Sequence, residues 1–342
     1  MSDIQTPGEA PTLRLLSLGA GVQSTTLALM ACRGELAEFG KLDGAIFADT
    51  GWEPLRVYKH LTGDLAAELE SASIPLHLTS KGNLREDTLD PDHRFVSVPY
   101  FTLAPEGTTV RDEIIDTDEH GQNVIVGYSE PRLATRRERE GMGRRQCTSE
   151  YKLGPINRKV RELLGAKAPE FRTVPRGRVA EQWIGFSTDE VHRVNDRQEN
   201  RYTRKRYPLL ELGMSRKDCE RYLRATGWSS VSKSACIGCP FHGNAQWREL
   251  RDHYPEEWAD AVDFDRQIRK GGTRTGAGEL DGEAFLHRSR VPLDLAPIDR
   301  VTAREWADRQ IDIFDDLAEH GDPDGCSPYG CRSGVALQEV QS

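Results

Sequence analysis

The sequence predicts an α/β fold: a parallel, Rossmann-like sheet with helices on both faces, followed by a mainly helical, cysteine-bearing C-terminal region. Three observations carry this. Short apolar runs alternate with helical patterns: Leu13 to Leu18, then Gly44 to Asp49, then Ile74 to Thr79, the order expected of strands joined by helical crossovers. The first run breaks into Gly19-Ala20-Gly21-Val22-Gln23-Ser24-Thr25 and opens at once into an Ala/Leu-rich stretch, as a strand, a tight turn and a helix would. The chain has 342 residues, enough for about two domains or one elaborated domain.

Taken in order, residues 1–12 predict a disordered tail, residues 13–235 an α/β domain, and residues 236–342 the helical region. The first helix is expected from about Thr25 to Arg33, stopped by Gly34. A second is expected from about Glu53 to Ser71, where Val57, Leu61, Leu65 and Leu69 recur on one face. Residues 104–143 form an irregular, charged insertion. A turn at His120-Gly121, flanked by Ile114-Ile115 and Val124-Ile125-Val126, predicts a small hairpin. The arginines at 132, 136, 137, 139, 144 and 145 then read as a mobile basic flap over an anionic substrate. Pro155 opens a helix that Gly165 closes, and Trp183 to Ser187 is a further strand. A second basic stretch runs from Arg193 to Arg206. Beyond Cys236, Pro255 starts a helix that ends near Arg269 and Lys270.

Hydrophobic residues make up 37% and charged residues 30%, with a formal net charge of -9. This is the composition of a folded, soluble protein, and it argues against one that grips nucleic acid over its whole surface. Local basic patches remain. No apolar run approaches the ~20 residues of a membrane span and the N-terminus is polar, so the expectation is a cytoplasmic protein with no membrane partner. Seven cysteines, an odd number, point to metal or redox chemistry rather than a disulfide framework.

Four segments carry the chemistry. Gly19 to Thr25 is a candidate phosphate cradle: backbone N–H groups and the positive end of a helix converge on one anion, and Ser24 and Thr25 add hydroxyls. It lacks both the Walker lysine and the third glycine of the dinucleotide fingerprint. Asp49-Thr50-Gly51 ends the second strand beside it. Thr50 and Glu53 have capping-box spacing, whereas Asp49 can bind a nucleotide hydroxyl or, through a divalent ion, phosphate oxygens. In the third segment, Arg144 to Lys152, Cys147 beside two arginines has thiolate character, and Arg145 and Lys152 suit phosphates. In the fourth, Cys236-Ile237-Gly238-Cys239-Pro240 fits half of an iron–sulfur or zinc site, with a redox disulfide as the alternative. Cys147, Cys236, Cys239 and one of Cys326 or Cys331 would make four thiolates. Cys32 and Cys219 lie in helical patterns and read as packing residues.

The ordered set Gly21-Val22-Gln23-Ser24, Asp49-Thr50-Gly51, Arg145-x-Cys147-Thr148 with Lys152 and Pro155, Ile184-Gly185-Phe186-Ser187 with Asp189-Glu190, and Cys236-x-x-Cys239 resembles the PAPS reductase family. That family belongs to the PP-loop, or adenine-nucleotide-alpha-hydrolase-like, superfamily, and the likeness runs from about Leu13 to Cys239. It implies an adenine nucleotide (PAPS, APS or ATP) on the sheet edge, with its phosphate or sulfate end at Ser17, Gly19, Gly21, Val22, Gln23, Ser24 and Thr25. Asp49, Thr50, Gly51, Arg145, Gly185, Asp189 and Glu190 would complete the nucleotide site. A 4Fe-4S cluster, or zinc, would sit on Cys147, Cys236 and Cys239 with Cys331 as the fourth ligand, and Lys152 and Cys326 would be catalytic.

The departures matter. Relatives that carry a cluster often have two adjacent cysteines where this chain has Gln146-Cys147, and the reductases' C-terminal Glu-Cys-Gly-Leu-His segment is absent, with Cys326-Ser-Pro-Tyr-Gly-Cys331 near its place. Gln23 stands where PP-loop ATPases carry an Asp, which favours a nucleotide sulfate over Mg2+-activated ATP; Ser24 matches the ATPases. The leading expectation is a sulfur-metabolism enzyme in which a thiolate attacks an adenylyl sulfate, served by a thiol, electron or sulfur donor protein. The second is ATP-dependent thiolation of tRNA or DNA, and the third a non-catalytic nucleotide-binding protein with structural zinc.

Overall fold

The computed structural model describes residues 10–93, 98–118, 120–194, 200–228, 231, 234–270 and 280–302. The first half of the chain forms β1 (Leu13–Leu18), α1 (Val22–Cys32), β2 (Gly44–Asp49), α2 (Leu55–Thr62), α3 (Asp64–Ser71), β3 (Leu76–Ser80) and α4 (Leu84–Leu89). Next come the short strands β4 (Phe101–Leu103), β5 (Thr109–Val110), β6 (Glu113–Thr117), β7 (Asn123–Tyr128) and β8 (Arg132–Leu133), then α5 (Arg136–Arg139), β9 (Glu140–Met142) and α6 (Gly154–Leu163). The remainder is β10 (Ala180–Ile184), β11 (Thr203–Arg206), α7 (Pro208–Glu211), α8 (Arg216–Ala225), α9 (Asn244–His253), α10 (Pro255–Gln267) and β12 (Glu283–Phe285).

Five strands make one sheet in the order β11-β10-β1-β2-β3, and every pairing is parallel. The α/β architecture with a parallel sheet is therefore as expected. β1 is central and buried on both faces, which is why its sequence is nearly all apolar rather than alternating. Leu16, Leu18, Phe47 and Trp183 pack on α1, α2, α3 and α8, while Leu15, Ile46 and Ala180 pack on Ile156, Val160 and Leu164 of α6 and its end. Side chains adjacent in β1 thus serve opposite layers, as strand geometry requires.

Several elements differ from expectation for identifiable reasons. The helix expected over 53–71 is two helices, α2 and α3, broken at Gly63, where ψ is -110° and a Cβ would lie 2.6 Å from the Lys59 carbonyl oxygen. The strand expected at 183–187 is β10, ending at Ile184, because the chain turns at Gly185 with Phe186 N–H donating to the Ile184 carbonyl. The hairpin forms as β6 and β7, Gly165 closes the helix at φ +88°, and α10 starts at Pro255. A π-helical turn, Thr148–Leu153, precedes α6. The region beyond Cys236 is not purely helical, since β12 pairs antiparallel with β4, which also pairs with β9. The insertion and the C-terminal region thereby share a small sheet. Among the described residues no helix is long and apolar enough to cross a membrane.

Candidate functional site

The opening turn is built by a left-handed residue. Ala20 has φ +55° and reverses the chain between β1 and α1, while Gly21 is the extended N-cap. Alanine at this φ costs about 1 kcal/mol relative to glycine. Ser24 Oγ locks the turn, accepting from Gly19 N–H at 3.2 Å and donating to the Gly21 carbonyl at 3.3 Å. The backbone N–H groups of Ala20, Gly21, Val22 and Gln23 meet no acceptor among the described residues. They stand at the positive end of an 11-residue helix, an arrangement suited to an anion.

The neighbouring residues brace this turn. Ser17 is buried in β1 between Ile184 and Ile46. Thr25 is fully buried and its hydroxyl meets His60 Nε2 at 3.1 Å, so it ties α1 to α2 rather than facing the open side. Gly185 is a close approach of backbones: a Cβ there would lie 3.1 Å from Ser24 N and 3.2 Å from the Gln23 carbonyl carbon. Gln23 donates to Glu190 at 3.2 Å, and Glu190 pairs with Arg193, which lies over the Phe186 ring. Asp189 accepts from Arg216 N–H at 2.6 Å and fixes the start of α8.

The second loop holds a buried polar cluster. Asp49 accepts from Gly51 N–H and from the Tyr58 hydroxyl, both at 2.7 Å. Burial, and then that bond to Asp49, hold the Tyr58 hydroxyl well above its ordinary pKa. Gly51 takes φ +70°, with Asn83 Cα 2.9 Å from where a Cβ would be. The capping box expected of Thr50 and Glu53 does not form. Pro54 delays the helix to Leu55, and Pro54 itself is the N-cap. The Thr50 hydroxyl instead donates to Glu53 Oε1 at 3.1 Å and lies 3.3 Å from Cys236 Sγ. Cys236 Sγ and Lys152 Nζ each stand 3.6 Å from Glu53 Oε1. The Glu53 side chain is fully buried and that of Lys152 is 8% exposed. Glu53 Oε2 has no hydrogen-bond partner among the described residues.

The CxxC segment is fastened to this loop. Ile237 N–H donates to the Trp52 carbonyl at 2.9 Å, and Cys239 N–H turns back to the Cys236 carbonyl at 3.1 Å. His242 Nε2 stands 3.0 Å from the Cys236 carbonyl and 3.2 Å from that of Ile237, so it carries the proton and donates to them. Gly238 lies flat on Trp52: a Cβ would come within 2.1 Å of the indole, which Asp260 holds through its Nε1–H at 2.6 Å. Arg145 stacks over Phe241 at 4.6 Å, which joins the third segment to the fourth. Cys147, Tyr151, Trp52 and Cys236 belong to one buried apolar cluster, and Cys239 is also buried.

The structure thus brings together Thr50, Lys152 and Cys236, with Asp49 and Gly51 in the same loop as Thr50, while Cys147 shares with Cys236 a larger buried apolar cluster. It adds Glu53, which the sequence pattern had assigned to a helix cap. Among the described residues no three His, Cys, Asp or Glu side chains converge on one point that could hold a metal ion. Cys326 and Cys331 lie outside the described residues. Burial pushes the Cys32 thiol up to about 11 and the Cys219 thiol up to about 12, as suits packing residues. No family model, curated protein or solved structure matches the chain.

Proposed function

We propose that the chain is a nucleotide-dependent sulfur-metabolism enzyme of the PAPS reductase type, with an adenine-nucleotide-alpha-hydrolase-like sheet. One observation carries the reading: the Cys236-x-x-Cys239 turn is bonded to the loop that ends β2, and β2 is the neighbour of β1, whose end bears the anion-binding turn. Thiols and cradle therefore share the carboxyl edge of one parallel sheet, where ligands of such sheets sit. The N–H groups of Ala20 to Gln23 would receive the phosphate or sulfate end of the nucleotide, and Arg145 and Lys152 would supply positive charge to the departing phosphate.

In the reductive reaction a thiolate forms a bond to the sulfur of the adenylyl sulfate as the sulfur–oxygen bond to the nucleotide phosphate breaks. The nucleotide leaves as its phosphate. A second thiolate then attacks the thiosulfonate, which releases sulfite and leaves a disulfide for a donor thiol to reduce. Cys326 or Cys331 remains the proposed nucleophile, and Cys236, next to the Glu53–Lys152 pair, is the described thiol placed to take part. The same proposal includes a cytoplasmic location and a 4Fe-4S cluster or zinc, for which Cys147, Cys236 and Cys239 would have to be drawn together from the places they hold here, Cys236 then serving as a ligand and not as an attacking thiol.

The second reading, ATP-dependent thiolation of a nucleic acid with Mg2+, is favoured by Ser24, which closes the turn as the ATPase pattern has it. Anaerobic purification followed by parallel incubation with PAPS and with ATP separates the two. Formation of PAP and sulfite supports the first, and AMP with pyrophosphate in the presence of nucleic acid supports the second. Stoichiometric zinc without sulfide or turnover means that neither holds.

A further inference from the structure

The exposed apolar side chains of this protein gather in the insertion that precedes Cys147. Most of its exposed large apolar side chains, among the described residues, fall between Ile114 and Met142. Ile114, Ile115, Val124, Ile125, Val126 and Tyr128 line the ribbon β6–β7 and are 38–58% exposed. A two-stranded ribbon with apolar residues in water on both of its faces is at best marginal on its own, and exposed apolar side chains gathered on one element in this way mark an interaction surface. The ribbon rises from a root made by the short pair β5–β8 and by Arg132, which binds both Asp112 and Glu138. Its β7 strand also carries a register shift opposite Ile114/Ile115, which bends such ribbons.

Charge identifies the partner. Residues 112–130 carry Asp112, Glu113, Asp116, Asp118, Glu119 and Glu130 and no lysine or arginine. The segment that follows, 131–145, carries six arginines against Glu138 and Glu140. Two ribbons laid edge to edge would repel, and nucleic acid would be repelled by the ribbon as well. An acidic, apolar ribbon and a basic helix side by side on one chain are complementary to the same pair on a second copy turned through a two-fold axis. Such an isologous contact closes on itself with the same two contacts made twice. Among the described residues of one chain, the root of the ribbon meets these arginines through Asp112 and Arg132, and Arg136 of α5 is 64% exposed.

We propose that the chain is a two-fold dimer in which the ribbon Glu113–Tyr128 of each copy packs across α5 (Arg136–Arg139) of the other. The contact joins apolar ribbon to the methylene stems of the arginines and sets ribbon carboxylates against guanidinium groups. Sedimentation equilibrium of the full chain over a wide concentration range tests it. The wild type is expected to be a dimer whose dissociation constant rises with salt. I125E with V126E should raise that constant about 100-fold without changing the far-UV circular dichroism, since both side chains are exposed. E113R and R137E should each weaken the dimer, and their combination should restore it. Amide exchange of residues 113–128, measured on the wild type, should slow as concentration rises. A chain that is monomeric at every concentration, or a dimer indifferent to all of these substitutions, overturns the proposal.

Discussion

Glu53 and Lys152 form a buried ion pair, and this gives a sharp test. The Glu53 side chain is fully buried and Lys152 is 8% exposed, with Nζ to Oε1 at 3.6 Å and Glu53 Oε2 lacking a hydrogen-bond partner among the described residues. Breaking such a pair leaves one uncompensated charge in a poorly solvated place and costs about 3–5 kcal/mol, whereas replacing both members costs little. Glu53→Gln and Lys152→Met should therefore each lower the unfolding free energy by about 3 kcal/mol. The double variant should lose much less than their sum, a coupling of about 2 kcal/mol or more. Urea unfolding followed by circular dichroism measures all four corners of the cycle, and an unchanged m-value shows that the comparison is valid. If the proposed function holds, the double variant should fold yet fail to turn over nucleotide. Singles that each cost under about 1 kcal/mol and simply add would refute the reasoning.

The remaining predictions are these. Gly238→Ala should cost about 2–3 kcal/mol in thermal or urea unfolding, because the new Cβ would stand 2.1 Å from an indole that Asp260 and Phe264 hold in place. Gly185→Ala should cost about 1–2 kcal/mol and weaken adenine-nucleotide binding about tenfold by calorimetry, since it pushes on the backbone of Gln23 and Ser24. Burial, with the charge of Arg288 second, pulls the His287 imidazole down to about 4. Its Nδ1 accepts from Ser289 N–H at 3.1 Å, and Nε2–H donates to Asn244 at 3.1 Å. The native state thus keeps His287 neutral while the unfolded chain takes up a proton near its ordinary pKa. Stability contributed by this group is complete above pH about 6.5 and is lost as pH falls toward 4, by at most about 3 kcal/mol. His287→Gln should flatten that part of the pH profile, and an unchanged profile would remove His287 as its cause.

The sheet was legible because its information is local. Leu13–Leu18 is apolar throughout, the glycine turn follows, and α1 begins within it, so strand, turn and helix are all written in twenty residues. The apolar row Val57, Leu61, Leu65, Leu69 named the buried face correctly, but the row continues across Gly63 and hid the break there. Glu53 was misread for a related reason. Thr50-x-x-Glu53 has the spacing of a cap, yet Pro54 four residues after Thr50 forbids it, since a helix capped at Thr50 would need the N–H that proline lacks. That proline was the available signal. The partners that Glu53 takes instead, Lys152 and Cys236, lie far along the chain, and no periodicity connects them. The same holds for β12 joining β4, a pairing set by tertiary packing.

The central claim is that an adenine nucleotide places its anionic end on the turn at Ala20 to Gln23 within reach of the Cys236 loop. A crystal structure of the anaerobically purified chain grown with PAP tests it directly. Phosphate density against those N–H groups, on the same side of the sheet edge as Cys236 and Lys152, is the predicted result. A nucleotide bound elsewhere, with the turn's N–H groups facing only water, would contradict the account.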